Sequence, residues 1–307
     1  MPKSTEHIDL LLFDRFSGMC LANAVEPLRA ANDLTGKRLY SWRFLTVDGG
    51  PVRSSSGMHV SAEGRLADHR GDMLIVLPSY GFLAHATPAT RRALRAAAMR
   101  YGVMAGFDTG AWLLAQAGLL DGHQATIHWE ELPHFEETFP EVDVMRLRHV
   151  SDRNRITCTG ALAAFDLTLD RIGASHGAAL RLEVAMLFMA PGAAPSVLPP
   201  MASSRMVARA LSAMRAAIEE PRPIPEIAKL AGCTVKDLER RMHAEFSETP
   251  AAIYRRMRLI LARKCVLETD LPIAEVALRA GYENASAMTR AFKAEFSTTP
   301  RAMRQGR

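Results

Sequence analysis

The stretch Leu238–Pro250, LERRMHAEFSETP, returns as Met288–Pro300, MTRAFKAEFSTTP, at an offset of 50 residues, with Ala-Glu-Phe-Ser-x-Thr-Pro intact in both copies. Upstream, Ile227-Ala228-Lys229-Leu230-Ala231-Gly232 matches Val276-Ala277-Leu278-Arg279-Ala280-Gly281 at an offset of 49, so one residue is inserted in the second turn. Two copies are too few for a solenoid, which needs more repeats to close a continuous core. The pattern instead spells helix, glycine turn, helix, twice. In the first copy Ile227, Leu230 and Ala231 make a helical apolar stripe and Gly232 supplies the tight turn. Thr234 can cap the next helix, with Asp237 three positions on, where negative charge favours a helix N-terminus. In that helix Val235, Leu238, Met242 and Phe246 share one face, and Lys236, Arg240 and His243 share another. In the second copy Asn284 is the cap and Met288, Phe292 and Phe296 face inward.

Ser286, Arg290 and Lys293 are the counterparts of Lys236, Arg240 and His243, and Thr289 lies beside them. A basic face on the second helix of a helix-turn-helix is what insertion into a major groove requires. An arginine there offers a two-pronged donor to guanine O6 and N7. A single surface arginine is usually only solvated; a repeated motif with matching faces favours DNA. Double-stranded promoter DNA is therefore the expected partner. Between the copies, Ile253–Glu268 (IYRRMRLILARKCVLE) carries strong helix formers with apolar spacing at Met257, Ile260 or Leu261, and Lys264–Cys265. Its length makes a strut of about 24 Å, fit to hold two recognition helices about 34 Å apart, one DNA turn.

Charge is distributed to match. Residues 200–307 hold 19 Lys+Arg against 12 Asp+Glu, and residues 1–199 hold 19 against 21. Such asymmetry is expected when one domain faces a polyanion and the other does not. Ala190-Pro191-Gly192-Ala193-Ala194-Pro195 and Pro199-Pro200 interrupt helices and mark an exposed linker. The expected organisation is a first domain over 1–192, a linker over 193–203, and a DNA-binding domain over 204–307. A hydrophobic fraction of 48% with 23% charged residues excludes a disordered or collagen-like chain. No apolar run approaches the ~20 residues of a membrane span. The first residues carry no secretory signal, and the four cysteines show no CxxC spacing, so reduced thiols in the cytoplasm are expected, with no membrane partner. The histidines show no ligand-like spacing, and neither a metal nor a cofactor is expected. Helices over Ala178–Met189 and Met201–Ile218 are amphipathic; either could form a dimer face or pack between domains, and a homodimer is the expected assembly.

The C-terminal third resembles the AraC/XylS family of transcription regulators over about Met206–Met303. The resemblance rests on Leu238-Glu239-Arg240, Arg258-Leu259-x-x-Ala262-Arg263, Ile273-Ala274-Glu275-Val276-Ala277, Gly281-Tyr282, Arg290-Ala291-Phe292-Lys293 and Thr299-Pro300. It implies that both helix-turn-helix units bind adjacent major grooves, and activation is the commoner mode in that family. His243, with small Ala285 and Ala287 in the second unit, leaves few base-reading groups there, which moves specificity towards the first unit and DNA shape.

The first 190 residues read differently. Ile8–Phe13, Trp42–Val47, Met73–Leu77, Val103–Phe107 and Ile156–Cys158 are apolar runs of strand length. Helical stretches at Leu21–Asn32, Pro88–Arg100, Thr109–Gly118 and Ala161–His176 alternate with them, which argues for a parallel α/β sheet. Such sheets bind ligands at the carboxyl ends of their strands. Ser79-Tyr80-Gly81, Asp108-Thr109-Gly110, His128-Trp129 and Thr159-Gly160 all follow strands and converge on one candidate pocket. Gly106-Phe107-Asp108-Thr109-Gly110 has the strand-to-helix form of a nucleophile elbow, with Asp108 where an amidase or protease needs Cys or Ser.

This half resembles the ThiJ/PfpI superfamily, and specifically the GlxA-type regulators that join it to an AraC-type C-terminus. The matching residues are Glu26-Pro27-Leu28-Arg29-Ala30-Ala31-Asn32, Gly49-Gly50-Pro51-Val52, Ser56-Gly57, Thr109-Gly110-Ala111, Ala117-Gly118-Leu119-Leu120-Asp121-Gly122 and Ala125-Thr126-Ile127-His128-Trp129. The resemblance implies a flavodoxin-like domain of the class I glutamine amidotransferase type, followed by an all-α domain. In the superfamily's enzymes an acid from the first helix lies beside a cysteine at the elbow. Glu26 matches the acid, and Asp108 replaces the cysteine, so a sensor is expected and no catalytic residue is assigned. Two carboxylates together raise one pKa unless a cation is supplied. Tyr80, Trp129 and Trp112 could add the aromatic faces that attract quaternary ammonium or guanidinium groups. The expected effector is a small nitrogenous metabolite, betaine, carnitine-like or arginine-like, held by Glu26, Tyr80, Asp108, Thr109, His128 and Trp129. Some of the regulators it resembles respond to such compounds. The alternative is a hydrolase of amidotransferase type, using Asp108 and His128 and tethered to DNA.

Overall fold

The computed structural model describes residues 5–188, 205–246 and 248–305. The chain divides into two compact units, Met1–Ile172 and Gly173–Arg307.

The first unit contains β1 (Glu6–Leu12), α1 (Gly18–Thr35), β2 (Tyr40–Thr46), β3 (Val52–Arg53), β4 (His59–Val60), β5 (Gly64–Arg65) and β6 (Gly71–Leu77). It continues through α2 (Pro88–Ala98), β7 (Tyr101–Phe107), α3 (Gly110–Gln116), β8 (Gln124–Ala125), α4 (Leu132–Thr138), β9 (Asp143–Val144), β10 (His149–Asp152), β11 (Arg155–Cys158) and most of α5 (Ala161–His176). Seven strands form one sheet in the order β10-β11-β7-β6-β1-β2-β5. All neighbours are parallel except β10, which runs antiparallel to β11 at the edge. The expected parallel sheet is therefore mostly parallel and formally mixed.

Both faces of the central strands are buried, which is why they read as continuous apolar runs. Leu11, Leu74, Val76 and Met104 pack with Trp112, Leu113 and Leu114 in one cluster, and the alternate residues Leu10, Leu12, Ile75 and Leu77 are equally buried. Asp9 interrupts this pattern inside β1. Its carboxylate takes a two-pronged bond from Arg43 at 2.8 Å on each oxygen and a third from the Tyr101 hydroxyl at 2.5 Å. A buried charge is tolerated when paired and hydrogen-bonded in this way.

The second unit holds α6 (Ala178–Phe188), α7 (Arg205–Ala216), α8 (Ile224–Ala231), α9 (Val235–Phe246), α10 (Pro250–Glu268), α11 (Ile273–Arg279), α12 (Ala285–Phe296) and α13 (Pro300–Gln305). Helix α6 falls in this unit, upstream of the proline- and glycine-rich stretch where the sequence alone puts the division. There the Glu183 carboxylate forms an ion pair with Arg256 of α10, which also meets Glu295 of α12 at 3.1 Å. The linker 193–203, together with Met189 and the start of the helix expected from Met201, lies outside the described residues.

The two expected helix-turn-helix pairs are α8–α9 and α11–α12. Helix α10 is longer than the sequence reading by one turn at its start, because Thr249 caps it and Pro250 opens it. It also buries more than one stripe: Ile253, Tyr254, Met257 and Ile260 are buried, and so are Leu259, Ala262 and Val266. The second group packs with Val276, Ala277, Ala280, Met288 and Phe292 in the core of the second pair.

Candidate functional site

In the second unit the second helix of each pair, α9 and α12, begins at a side-chain cap. The Thr234 hydroxyl accepts the Asp237 N–H at 3.1 Å and donates to its carboxylate at 2.8 Å. Asn284 accepts the Ala287 N–H at 2.8 Å. With Leu238, Met242 and Phe246 buried on α9, and Met288 and Phe292 on α12, the opposite faces are presented outward. Lys236, Arg240 and His243 are exposed on α9; Ser286, Arg290 and Lys293 are exposed on α12, with Thr289 half-buried at their margin. Arg240 is not wholly free: Nη2 donates to Asp237 Oδ1 at 2.8 Å. The Thr234 hydroxyl, then the Arg240 guanidinium, hold the Asp237 carboxyl below its ordinary range.

The turn of the second pair is tied from α10. Arg258 donates through Nε to the Ala280 carbonyl at 2.9 Å and through Nη2 to that of Gly281 at 2.6 Å. Gly281 has φ of 70°, and a Cβ there would lie 2.3 Å from the Ile218 carbonyl oxygen. The turn needs glycine for space as well as for its dihedral angle.

In the first unit the elbow is present as backbone. Asp108 has φ of 60°, a left-handed conformation costly for most residues and milder for Asp. A Cβ at Gly106 would lie 2.6 Å from the Ala111 nitrogen, and one at Gly110 would lie 2.0 Å from the Val76 carbonyl oxygen. Only glycine lets β7, β6 and α3 approach so closely around the elbow. Asp108 donates its N–H to the Cys158 carbonyl at 3.0 Å and accepts the His128 N–H at 3.2 Å on its own carbonyl. The Thr109 hydroxyl donates to the Ser79 carbonyl at 2.7 Å. The loops after β6, β7 and β8 are thus joined by hydrogen bonds.

The Asp108 side chain is only 9% exposed. Burial raises its pKa; the neighbouring Ser79 hydroxyl and the charge of His128 pull the other way without cancelling the rise. Ser79 Oγ lies beside the carboxyl without a well-formed hydrogen bond. The His128 ring is directed to Glu130, at 3.7 Å between Nδ1 and Oε2. Cys20 and Cys158 are fully buried near the elbow. Burial pushes the Cys158 thiol up to about 12 and raises that of Cys20 as well. Neither supplies a thiolate nucleophile.

Glu26 is engaged within its own helix. Its carboxylate pairs with Arg29 at 2.7 Å, it is 44% exposed, and Arg29 in turn meets Asp33 at 2.6 Å. Tyr80 and Trp129 are well exposed, at 55% and 67%. Trp112, at 5%, is a core residue among Phe82, His134, Phe135 and Phe139, which corrects its expected place among the pocket's aromatic faces. Asp14, Arg15, Arg53, Ser54 and Ser55, which no sequence motif marks, line an open cleft at the same edge of the sheet with Gly57. Among the described residues no group of three or more His, Cys, Asp or Glu could hold a metal ion, and no helix is long and apolar enough to cross a membrane.

Residues 227–306 match the model of the helix-turn-helix domain family. The chain is 36% identical to the HTH-type transcriptional regulator CdhR of Pseudomonas aeruginosa over 94% of this chain and 89% of that one. It is 31% identical to the HTH-type transcriptional regulator GlxA of Rhizobium meliloti, over 99% of this chain and 97% of that one. A ThiJ/PfpI family protein from Pseudomonas syringae has the same fold over 74% of this chain and 89% of its own, with a TM-score of 0.53 and 20% identity. By these similarities, extending over nearly its whole length, the chain belongs to the GlxA-type HTH transcriptional regulators: it joins a ThiJ/PfpI-like domain to an AraC-type DNA-binding domain, and it is a regulator rather than an enzyme.

Proposed function

We propose that this regulator activates transcription in response to a small nitrogenous metabolite, of betaine, carnitine-like or arginine-like type, bound in the first unit. It acts in the cytoplasm as a homodimer. Lys236, Arg240 and His243 read one major groove, and Ser286, Thr289, Arg290 and Lys293 read the next. The observation that carries the DNA reading is the repeated outward basic face on two capped helices whose opposite faces are buried. A buried acid at the elbow beside exposed Tyr80 and Trp129 supports the effector class, since a cation relieves the cost of ionising Asp108. For an effector to switch the protein it must bind one arrangement of the chain more tightly than another.

The experiment is retention of genomic fragments by the purified chain at two salt concentrations, with sequencing of what is retained. Enriched sites with half-sites about one helical turn apart and a steep loss with salt support paired reading helices. Arg240→Ala and Arg290→Ala should each lose about 1–3 kcal/mol of discrimination at one base position. Sequence-blind retention overturns the specific reading. Calorimetric titration of the full chain with a betaine, carnitine and arginine panel tests the effector, and no heat from any member counts against it.

A further inference from the structure

At the carboxyl edge of the sheet in the first unit, the turn after β1 and the β3–β4 hairpin border an open cleft of about 480 Å³. Its walls are Asp14, Arg15, Arg53, Ser54, Ser55 and Gly57. Backbone bonds fix them: Arg15 N–H donates to the Arg53 carbonyl at 2.7 Å, and Ser55 N–H to that of Phe16 at 2.9 Å. Ser54 is buried, and its hydroxyl accepts the Met58 N–H at 2.9 Å. Arg15 sits at φ of 66°, a conformation that a non-glycine residue keeps only where its surroundings impose it.

The side chains on this fixed frame are unbalanced in charge. The one acid, Asp14, accepts the Arg53 backbone N–H on Oδ1 at 2.9 Å. Arg15 and Arg53 are exposed and make no ion pair among the described residues, whereas Arg43 and Arg171 of the same unit are each held by a carboxylate. Two guanidinium groups facing one cleft match the planar fork of a carboxylate. We propose that this cleft is a carboxylate-binding subsite in which Arg15 and Arg53 receive the acid group of the effector.

The subsite deepens the effector reading and rests on it for the identity of the ligand. The Ser79–Gly81 loop lies between the two charged regions. A Cβ at Gly81 would be 3.7 Å from Arg15 Nη1, while Ser79 is beside the Asp108 carboxyl. Cationic side chains thus stand on one side of this loop and a buried acid on the other, with the exposed Tyr80 ring at its centre. That layout suits a zwitterion whose acid end enters the arginine cleft and whose cationic end faces Asp108.

Phenylglyoxal modification of the full chain, mapped by peptide mass spectrometry at constant ionic strength, tests the subsite without knowing the effector. Malonate and acetate should slow modification of Arg15 and Arg53 at least threefold relative to chloride, and leave the exposed Arg91 and Arg92 unchanged. Glycine betaine should protect as well, and choline, which has the cation without the acid, should not. In Arg15→Gln the protection of Arg53 by malonate should be lost, and Arg53→Gln should do the same to Arg15. Equal rates in malonate and chloride overturn the subsite, as does stronger protection by inorganic phosphate than by malonate. If malonate protects and no zwitterion does, the subsite stands and the effector reading falls. If zwitterions bind by calorimetry yet leave both arginines unprotected, the subsite falls and the effector reading stands.

Discussion

The Arg258 guanidinium lies over the ring of Tyr282, 4.2 Å from its centroid, while two of its nitrogens hold the carbonyls of Ala280 and Gly281. One side chain of α10 thereby closes the turn between α11 and α12 through stacking and two charge-assisted bonds. Arg258→Ala should cost about 2 kcal/mol in denaturant unfolding. Arg258→Lys should recover less than half of that, since an ammonium cannot reproduce the fork.

Glycine is required at Gly281 for a different reason than at Gly36, although both have positive φ, at 70° and 63°. Nothing lies within 4 Å of a Cβ at Gly36, whereas one at Gly281 would strike the Ile218 carbonyl and the Pro221 ring. Gly36→Ala should cost about 1 kcal/mol, the dihedral term alone. Gly281→Ala should cost about 3 kcal/mol or more. Thermal unfolding of the two variants side by side checks the difference.

The direction of the Asp108 shift fixes a pH dependence. A carboxyl whose pKa is raised on folding keeps its proton when the unfolded chain has lost it. Its contribution to stability therefore falls as pH rises from the ordinary carboxylate range through the raised native value. Asp108→Asn removes this term with little change of shape, and Asn tolerates the left-handed backbone. The variant should gain stability over the parent at pH 7.5 and lose most of that gain at pH 4. An equal difference at both pH values would show that ionisation of Asp108 is not the cause.

Asn284 caps α12 by a single bond to the Ala287 N–H. Asn284→Ala should cost about 1 kcal/mol, and Asn284→Gly only a few tenths. Chemical denaturation of both variants provides the measurement, and promoter binding at fixed salt should weaken in the same order.

Trp129 and Trp112 should answer differently to a collisional quencher, being 67% and 5% exposed. Trp129→Phe should remove most of the iodide-quenchable fluorescence. If Trp129 contributes to the effector site, a saturating effector should protect the parent from iodide and leave the variant unchanged.

The helix-turn-helix pairs were legible because each is written locally: stripe, glycine, cap and apolar face all lie within about twenty residues, twice over. The strands of the sheet were legible for a related reason, since burial on both faces leaves an apolar run that needs no partner to be noticed. Helix α10 was only half legible. Its apolar positions serve two cores, so Leu259, Ala262 and Val266 fall off the single stripe that Met257 and Ile260 suggest. At the carboxyl edge of the sheet the elbow could be read from Gly106 and Gly110. The place of Glu26 could not be read from its family motif. Its partner Arg29 stands three residues along the same helix and takes its carboxylate, while also meeting Asp33 four residues further on. Arg15 and Arg53 were missed because two turns, distant in sequence, bring them to one cleft, and neither turn carries a periodic signal.

Helix α10 also acts as a ruler. Both helix-turn-helix cores rest on its 19 residues, so its length sets their spacing and their relative rotation together. One residue added near its middle would advance the second pair by about 1.5 Å and turn it by about 100°. On the proposed reading of two successive grooves, a reader displaced by that rotation would no longer enter the second. Substitutions at its exposed Ala251, Arg255 and Lys264 would leave that spacing intact, whereas a change in length would alter which DNA the protein can read.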